Sequence, residues 1–346
     1  MVHLEHNFEE MTTIESKTAA ETAAARQATG VMQRKSPGYL RVTGRDHVDL
    51  LHRLTTNDLR ALEPGEGQIT VFANEIGRII DRVHLLKLED AVHLITSPGN
   101  GEKIRTWIDK YIFIEDVQVQ DHSDTYGVLS VFGPKSAASL HAVLDCPAEQ
   151  LRDCAFTQTT WQGNRLLVQR SDELDRSGFN VIVESAVLPA LLNTLLANDA
   201  GLGVQSMSEQ AYEILRIEAG WPVYEQDFDE GINPHEARMW AHVNFDKGCY
   251  IGQEVIARLD TYEKVQKHLM GVALDGDTLP RAKAPVRIED EKVGFITSAA
   301  YSYALKTNIA LCYVRTKFAQ PGNKVMIETE KQVQSGHLHD LPFQTG

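Results

Sequence analysis

"QITVFANEIGRIIDRVHLLKLEDAVHLITS", residues 68–97, holds three apolar runs separated by short polar turns. The runs at 68–74 and 77–88 read as two strands, and the second turns back at Glu89-Asp90 into a third at 91–97, the pattern of antiparallel hairpins. Before it stand a strand at 38–44 and a helix carrying Leu50, Leu51 and Leu54, with Asp46 as its expected N-cap. After it come a helix over about 100–111, strands at 115–120 and 126–133, and a helix beyond Pro134. Two more strands, 165–171 and 178–184, lead to a helix over 186–199. Strand hairpins interleaved with helices predict an α+β fold of layered antiparallel sheets and helices.

The flanks complete the domain plan. Residues 1–20 read as a polar tail, and the helical stretch "ETAAARQATG" stops at Gly30. A helix from Met207 to Ala219 has a capping box in Ser206 and Glu209 and is closed by Gly220 and Pro222. From Lys267 onward short β segments are split by Gly, Pro and Asp, which predicts a small C-terminal β-barrel over 267–346, behind a two-part domain over 21–266.

With 346 residues the chain exceeds the ~250–300 over which one core keeps growing, so more than one packed unit is expected. The formal charge of −14 argues against nucleic acid as a partner, because phosphate backbones are bound by clustered Lys and Arg. The longest apolar run, residues 186–197, falls short of the ~20 residues that span a bilayer, and no leader pattern opens the sequence. A soluble cytoplasmic protein is expected. The cysteines, Cys146, Cys154, Cys249 and Cys312, form no C-x-x-C pair, so neither a disulfide framework nor a metal site is expected.

Three positions break local rules. On the helix before Gly220, Ala211, Ile214, Leu215 and Glu218 share one stripe, so Glu218 lies on an apolar face and in the last turn, where the dipole disfavours its charge. An ion pair with Arg216 or another arginine would satisfy it, and so would a heterocycle such as a pterin that offers two parallel donors. Alternation sets Asp81 with Ile79, Val83 and Leu85, among apolar neighbours, so Asp81 needs a structural partner or a ligand. In "KGCYIGQE", residues 247–254, glycines flank Cys249, and Lys247 stands two residues away, where a cation favours the thiolate. A buried inert cysteine in a turn is the alternative there.

"LTTNDLRALEPGEGQITVFANEIGRIIDRVHLL", "VFGPKSAASL", "LRIEAGWPVYEQDFDEGINPHEA" and "KGCYIGQEVIARL" occur in an order that resembles the folate-binding family of the glycine-cleavage T-protein. "VGFITSAAYSYAL" and "LHDLPF" resemble its appended barrel. Within the family, "KGCYIGQE" resembles the signature of the YgfZ-type branch, which implies binding of tetrahydrofolate or a one-carbon derivative and support of iron–sulfur enzyme assembly or repair. By the same resemblance Glu218 holds the pterin and Asp81 stands near the reactive folate nitrogens. Arg82 replaces the second aspartate of a T-protein pair, and Lys247 falls near a folate-contacting arginine. The resemblance implies Cys249, Asp81 and Lys247 as the chemical groups, iron–sulfur proteins as partners, and aminomethyl transfer to tetrahydrofolate as the alternative activity. A flavin-linked demethylase fits poorly, because the chain has no G-x-G-x-x-G fingerprint, and no nicotinamide cofactor is expected.

Overall fold

Asn74 makes the turn at the centre of the deciding stretch. Its Oδ1 accepts from the backbone N–H groups of Ile76 and Arg78, and Gly77 takes φ +71°, which reverses the chain between two strands. The computed structural model, which describes residues 2–199, 201–261, 265–330 and 332–345, builds two open sheets and a closed barrel around such turns.

The first elements are α1 (Val2–Gln27), β1 (Thr29–Gln33), β2 (Pro37–Thr43), α2 (His47–Leu54), β3 (Gly67–Ala73), β4 (Ile79–Lys87), β5 (Ala91–Pro98), α3 (Gly101–Asp109) and β6 (Gln118–Asp121). Then follow β7 (Tyr126–Phe132), α4 (Ser136–Leu144), β8 (Phe156–Trp161), β9 (Asn164–Arg170), β10 (Gly178–Glu184), α5 (Leu188–Ala197), β11 (Val204–Ser206), α6 (Glu209–Glu218) and α7 (Gln253–Thr261). One antiparallel sheet has the order β3-β4-β5-β2-β6, and the other, β11-β1-β7-β10-β9-β8, is antiparallel except where β11 runs parallel to β1. The chain ends in a closed barrel of β12 (Lys267–Leu274), β13 (Pro285–Ile288), β14 (Glu291–Ser302), β15 (Thr307–Arg315), β16 (Lys324–Glu328) and β17 (Val333–His339), in the order β12-β15-β14-β13-β16-β17. The predicted α+β class with a terminal barrel is the observed one.

Tyr39, Leu86 and Ile95 of the first sheet meet Val128, Leu167 and Ile182 of the second, so the two sheets pack face to face. Helices α2 and α3 cover the far side of the first sheet, and α4 and α5 that of the second. Ile214 and Ile217 of α6 join Val71 and Ile79 to Leu269, Ile309 and Leu311, which ties the barrel to α6 and the first sheet. Among the described residues no helix is long and apolar enough to cross a membrane.

Local details differ from expectation for physical reasons. Part of the segment read as a polar tail, 1–20, belongs to α1, where Thr18 is buried, and Thr22 and Ala25 continue the packed face. Gly30 does not stop that helix. It lies in β1, where a Cβ would come within 2.2 Å of Met207 Sδ, so close packing explains the glycine. The cap of α6 is Ser208, whose side chain accepts from Ala211 N–H, while Ser206 ends β11. Asp46 precedes α2 but accepts from Asp116 N–H instead of capping. A bulge opposite Phe72/Ala73 interrupts the alternation in β4, and Ile80 packs with Val83 and Leu85.

Candidate functional site

Residues of both open sheets, α6 and segment 221–225 enclose a cavity of about 360 Å³. That is the scale of a small-molecule site. Its walls combine apolar side chains (Met32, Ile95, Val128, Val223) with aromatic Tyr212, Trp221 and Tyr224 and a compact polar group.

Glu173 organises that group. Its Oε1 accepts from Ser171 Oγ (3.0 Å) and Asn180 Nδ2 (3.4 Å) and faces His84 Nε2 at 3.2 Å. Its Oε2 accepts from the Tyr212 hydroxyl (3.4 Å) and faces Arg34 Nη2 at 3.5 Å. Burial pushes this carboxyl up, but Arg34, His84 and Arg82 outweigh it and hold Glu173 well below the usual carboxylate range.

Two arginines face this carboxylate. Arg34 lies over the Tyr212 ring, 4.3 Å from its centroid, and its Nη1 is buried with no hydrogen-bond partner among the described residues. Arg82 lies over the Trp221 ring and donates through Nη2 to the Pro222 carbonyl (2.8 Å). Burial draws the Arg82 guanidinium down to about 10, with Glu173 opposing the pull. His242, beside Trp221, is drawn to about 3 by burial and by Arg82, so it is neutral at ordinary pH.

None of the candidate groups singled out in the sequence, Asp81, Glu218, Lys247 and Cys249, lines this cavity. Asp81 is fully buried and accepts from Ser97 Oγ (2.6 Å), Ser97 N–H (3.0 Å) and Arg82 N–H (2.8 Å). Burial lifts its carboxyl, and these donors oppose the lift. Asp81 therefore fixes Ser97, which does line the cavity. Glu218, the last residue of α6, is buried, pairs with Arg26 and accepts from Ser302 Oγ (2.6 Å), and it is not among the lining residues. The partner of Glu218 is thus Arg26, and Arg216 instead binds Asp227 (2.6 Å).

Lys247 is a structural tie. Its ammonium donates to the carbonyls of His52 (2.6 Å), Thr55 (2.7 Å) and Asn57 (2.6 Å), around the C-terminal end of α2. Burial pulls Lys247 from 10.5 down to about 7, and the three carbonyls favour the charged form. All three ammonium protons are committed, which leaves none for the Cys249 thiol or a ligand. Cys249 is exposed, whereas Cys146, Cys154 and Cys312 are buried. Burial raises all three of those thiols, Cys312 to about 12. Among the described residues no three His, Cys, Asp or Glu side chains converge as metal ligands.

Sequence reasoning missed Arg34, Glu173, Asn180, Tyr212 and Trp221. They come from five separate segments, and Glu173 stands in the polar string "RSDELDRS", which reads as an ordinary loop. The one local signal was His84 and Arg82 alternating with Leu86 on one face of a buried strand.

Residues 3–247 match the GCVT N-terminal domain, and residues 267–344 match the glycine cleavage T-protein C-terminal barrel domain. An aminomethyltransferase of Chlorobium limicola is 28% identical over 328 residues, covering 94% of this chain and 90% of the relative. One from Thermotoga neapolitana is 29% identical over 328 residues, covering 94% and 89%. The crystal structure of the glycine cleavage system aminomethyltransferase T from Bartonella henselae shares the fold with a TM-score of 0.85 at 22% identity, over 95% of this chain and 90% of that one. With both parts matched in order along nearly the whole length, the chain belongs to the glycine-cleavage T-protein family.

Proposed function

We propose that this protein binds a reduced folate in the central cavity and works on its one-carbon unit. The observation that carries the reading is the cavity wall itself: aromatic faces for a flat ring, with Glu173, Asn180, Ser97 and two guanidinium groups around them. The orphaned Arg34 Nη1 fits such a ligand, because a pterin ring brings a carbonyl oxygen. When bound, the folate supplies a nitrogen that carries the one-carbon unit. Asp81 acts by holding Ser97 at the wall, and Glu218 by fixing α6, which carries Tyr212.

The relatives named aminomethyltransferase make aminomethyl transfer the first activity to assay. Calorimetry with tetrahydrofolate should give a saturable single site that Tyr212→Ala weakens. Glycine-cleavage turnover with a lipoylated carrier protein then asks whether transfer occurs. No binding by the intact protein would remove the folate reading.

A second reading rests on Cys249, the exposed one of four free cysteines. On it, the folate-loaded protein supports assembly or repair of iron–sulfur enzymes through that thiol. Reduced thiols suit a cytoplasmic setting, which is part of this proposal. Cys249→Ser should then spare folate binding and turnover but fail to restore iron–sulfur enzyme activity in a deletion strain. Full restoration would discard the second reading.

A further inference from the structure

Phe113 and Ile114 stand side by side in the loop after α3, 81% and 96% exposed, the two most exposed large apolar side chains among the described residues. Their loop is held in place. Glu115 Oε2 accepts from both of their N–H groups (2.9 and 3.1 Å), and Arg53 Nη2 donates to Glu115 Oε1 (2.8 Å). The Phe113 N–H and the Arg53 guanidinium, with the Ile114 N–H, hold the Glu115 carboxyl down at about 2, so the clamp stays charged at ordinary pH. Ile76, 66% exposed, belongs to the same face, because its neighbour Glu75 accepts from Tyr111 Oη (2.7 Å) and Lys110 Nζ (3.1 Å) just before the tip. A fixed apolar knob in water adds no burial to the fold, and such a surface fits a partner.

The charges around the knob narrow the partner. Arg53 with Glu115, Lys110 with Glu75 (3.1 Å) and Arg45 with Asp116 (2.9 Å) form a rim whose three pairs cancel. A chain of formal charge −14 repels a second copy and an anionic bilayer alike, and the repulsion is weakest where charges are already paired. A two-fold contact sets one patch against itself, so it needs a face that carries both signs about an apolar centre. This face has that composition. We infer that the Phe113–Ile114 tip is the centre of a two-fold contact through which the chain pairs reversibly with a second copy of itself. It goes beyond the folate reading and stands apart from it.

The test is sedimentation velocity on the full chain over a range of concentrations. Three apolar side chains make a small contact, so a dimer with a Kd of ~10–100 µM is expected. Raising ionic strength from ~0.01 M to ~0.15 M shortens the screening length from ~30 to ~8 Å and should tighten the dimer, because it screens the repulsion between like net charges. Phe113→Ser with Ile114→Ser keeps the N–H groups that Glu115 holds, should melt as the native protein does, and should weaken pairing at least about 10-fold. Val333→Ser alters another exposed apolar residue, on β17, and should leave pairing unchanged. A native protein that stays monomeric up to about 300 µM would overturn the inference. So would a dimer that survives the double substitution, one that Val333→Ser weakens equally, or one that salt dissociates.

Discussion

The Arg82 guanidinium lies 3.7 Å from the centroid of the Trp221 ring. A cation over an indole in a partly desolvated wall is worth ~1–2 kcal/mol and sets the position of both groups. Anything that enters the cavity meets this pair, so Trp221 should report ligand. Saturable quenching of tryptophan fluorescence is expected on adding tetrahydrofolate, and Trp221→Phe should abolish most of it. Quenching that survives in the variant would place the ligand beside another of the four tryptophans.

Glu173 should make the fold acid-sensitive. Its folded-state pKa lies below the ordinary 4.5, so its contribution to stability is complete above 4.5 and is lost as pH falls through the lower folded value. Glu173→Gln leaves Arg34 without its counter-charge and should cost about 3–5 kcal/mol at pH 7. The gap in Tm between native protein and variant should stay constant from pH 7 to about 4.5 and narrow progressively below it. A gap independent of pH would mean that the carboxylate charge is not what stabilises the wall.

Glu218→Gln breaks a buried pair with Arg26, whose Nε already lacks a partner. The expected result is a loss of about 3–5 kcal/mol in denaturant unfolding, with folate affinity changed less than about 3-fold. A large loss of affinity at unchanged stability would return this carboxylate to the ligand.

Lys247 and Cys249 separate cleanly by experiment. Lys247→Met leaves three carbonyls of the α2 end unmet and should cost about 3 kcal/mol or more. Brief iodoacetamide treatment of the native protein at neutral pH should label Cys249 well ahead of Cys146, Cys154 and Cys312, because only the first is exposed. Mass spectrometry of the four peptides gives the order, and equal rates would mean that the loop shields the thiol.

Much of the fold was legible because its strands are apolar and its turns carry distinct chemistry. The hairpins at Gly77 and Glu89-Asp90 and the β-rich end after Lys267 follow from alternation and turn residues alone. β17, "VQSGHLH", escaped because Gln334, Ser335 and two histidines mask its alternating burial. β8, "FTQTTW", escaped for a similar reason, with its apolar residues only at the ends. Periodicity correctly picked Asp81 and Glu218 as carboxylates in apolar company. It could not supply their partners, since Ser97 is sixteen residues and Arg26 nearly two hundred residues away in the chain. The cavity was least legible, because Arg34, Glu173 and Trp221 become neighbours only through sheet packing.

The buried node at Arg216 bears on how this protein is made. Arg216 joins Asp227 and Ser298 Oγ (2.7 Å), Asp227 also accepts from Thr297 Oγ1 (2.5 Å), and Phe343 N–H donates to the Glu218 carbonyl (2.7 Å). The wall segment 221–225 is thereby latched to β14 and to Phe343, both synthesised long after it. At ~5–20 residues per second the ribosome needs several seconds more after Trp221 before the latch can form. A nascent chain would thus carry an unfinished binding site through most of its emergence, and ligand could help only at the last step, by trapping the closed form once the final strand is free.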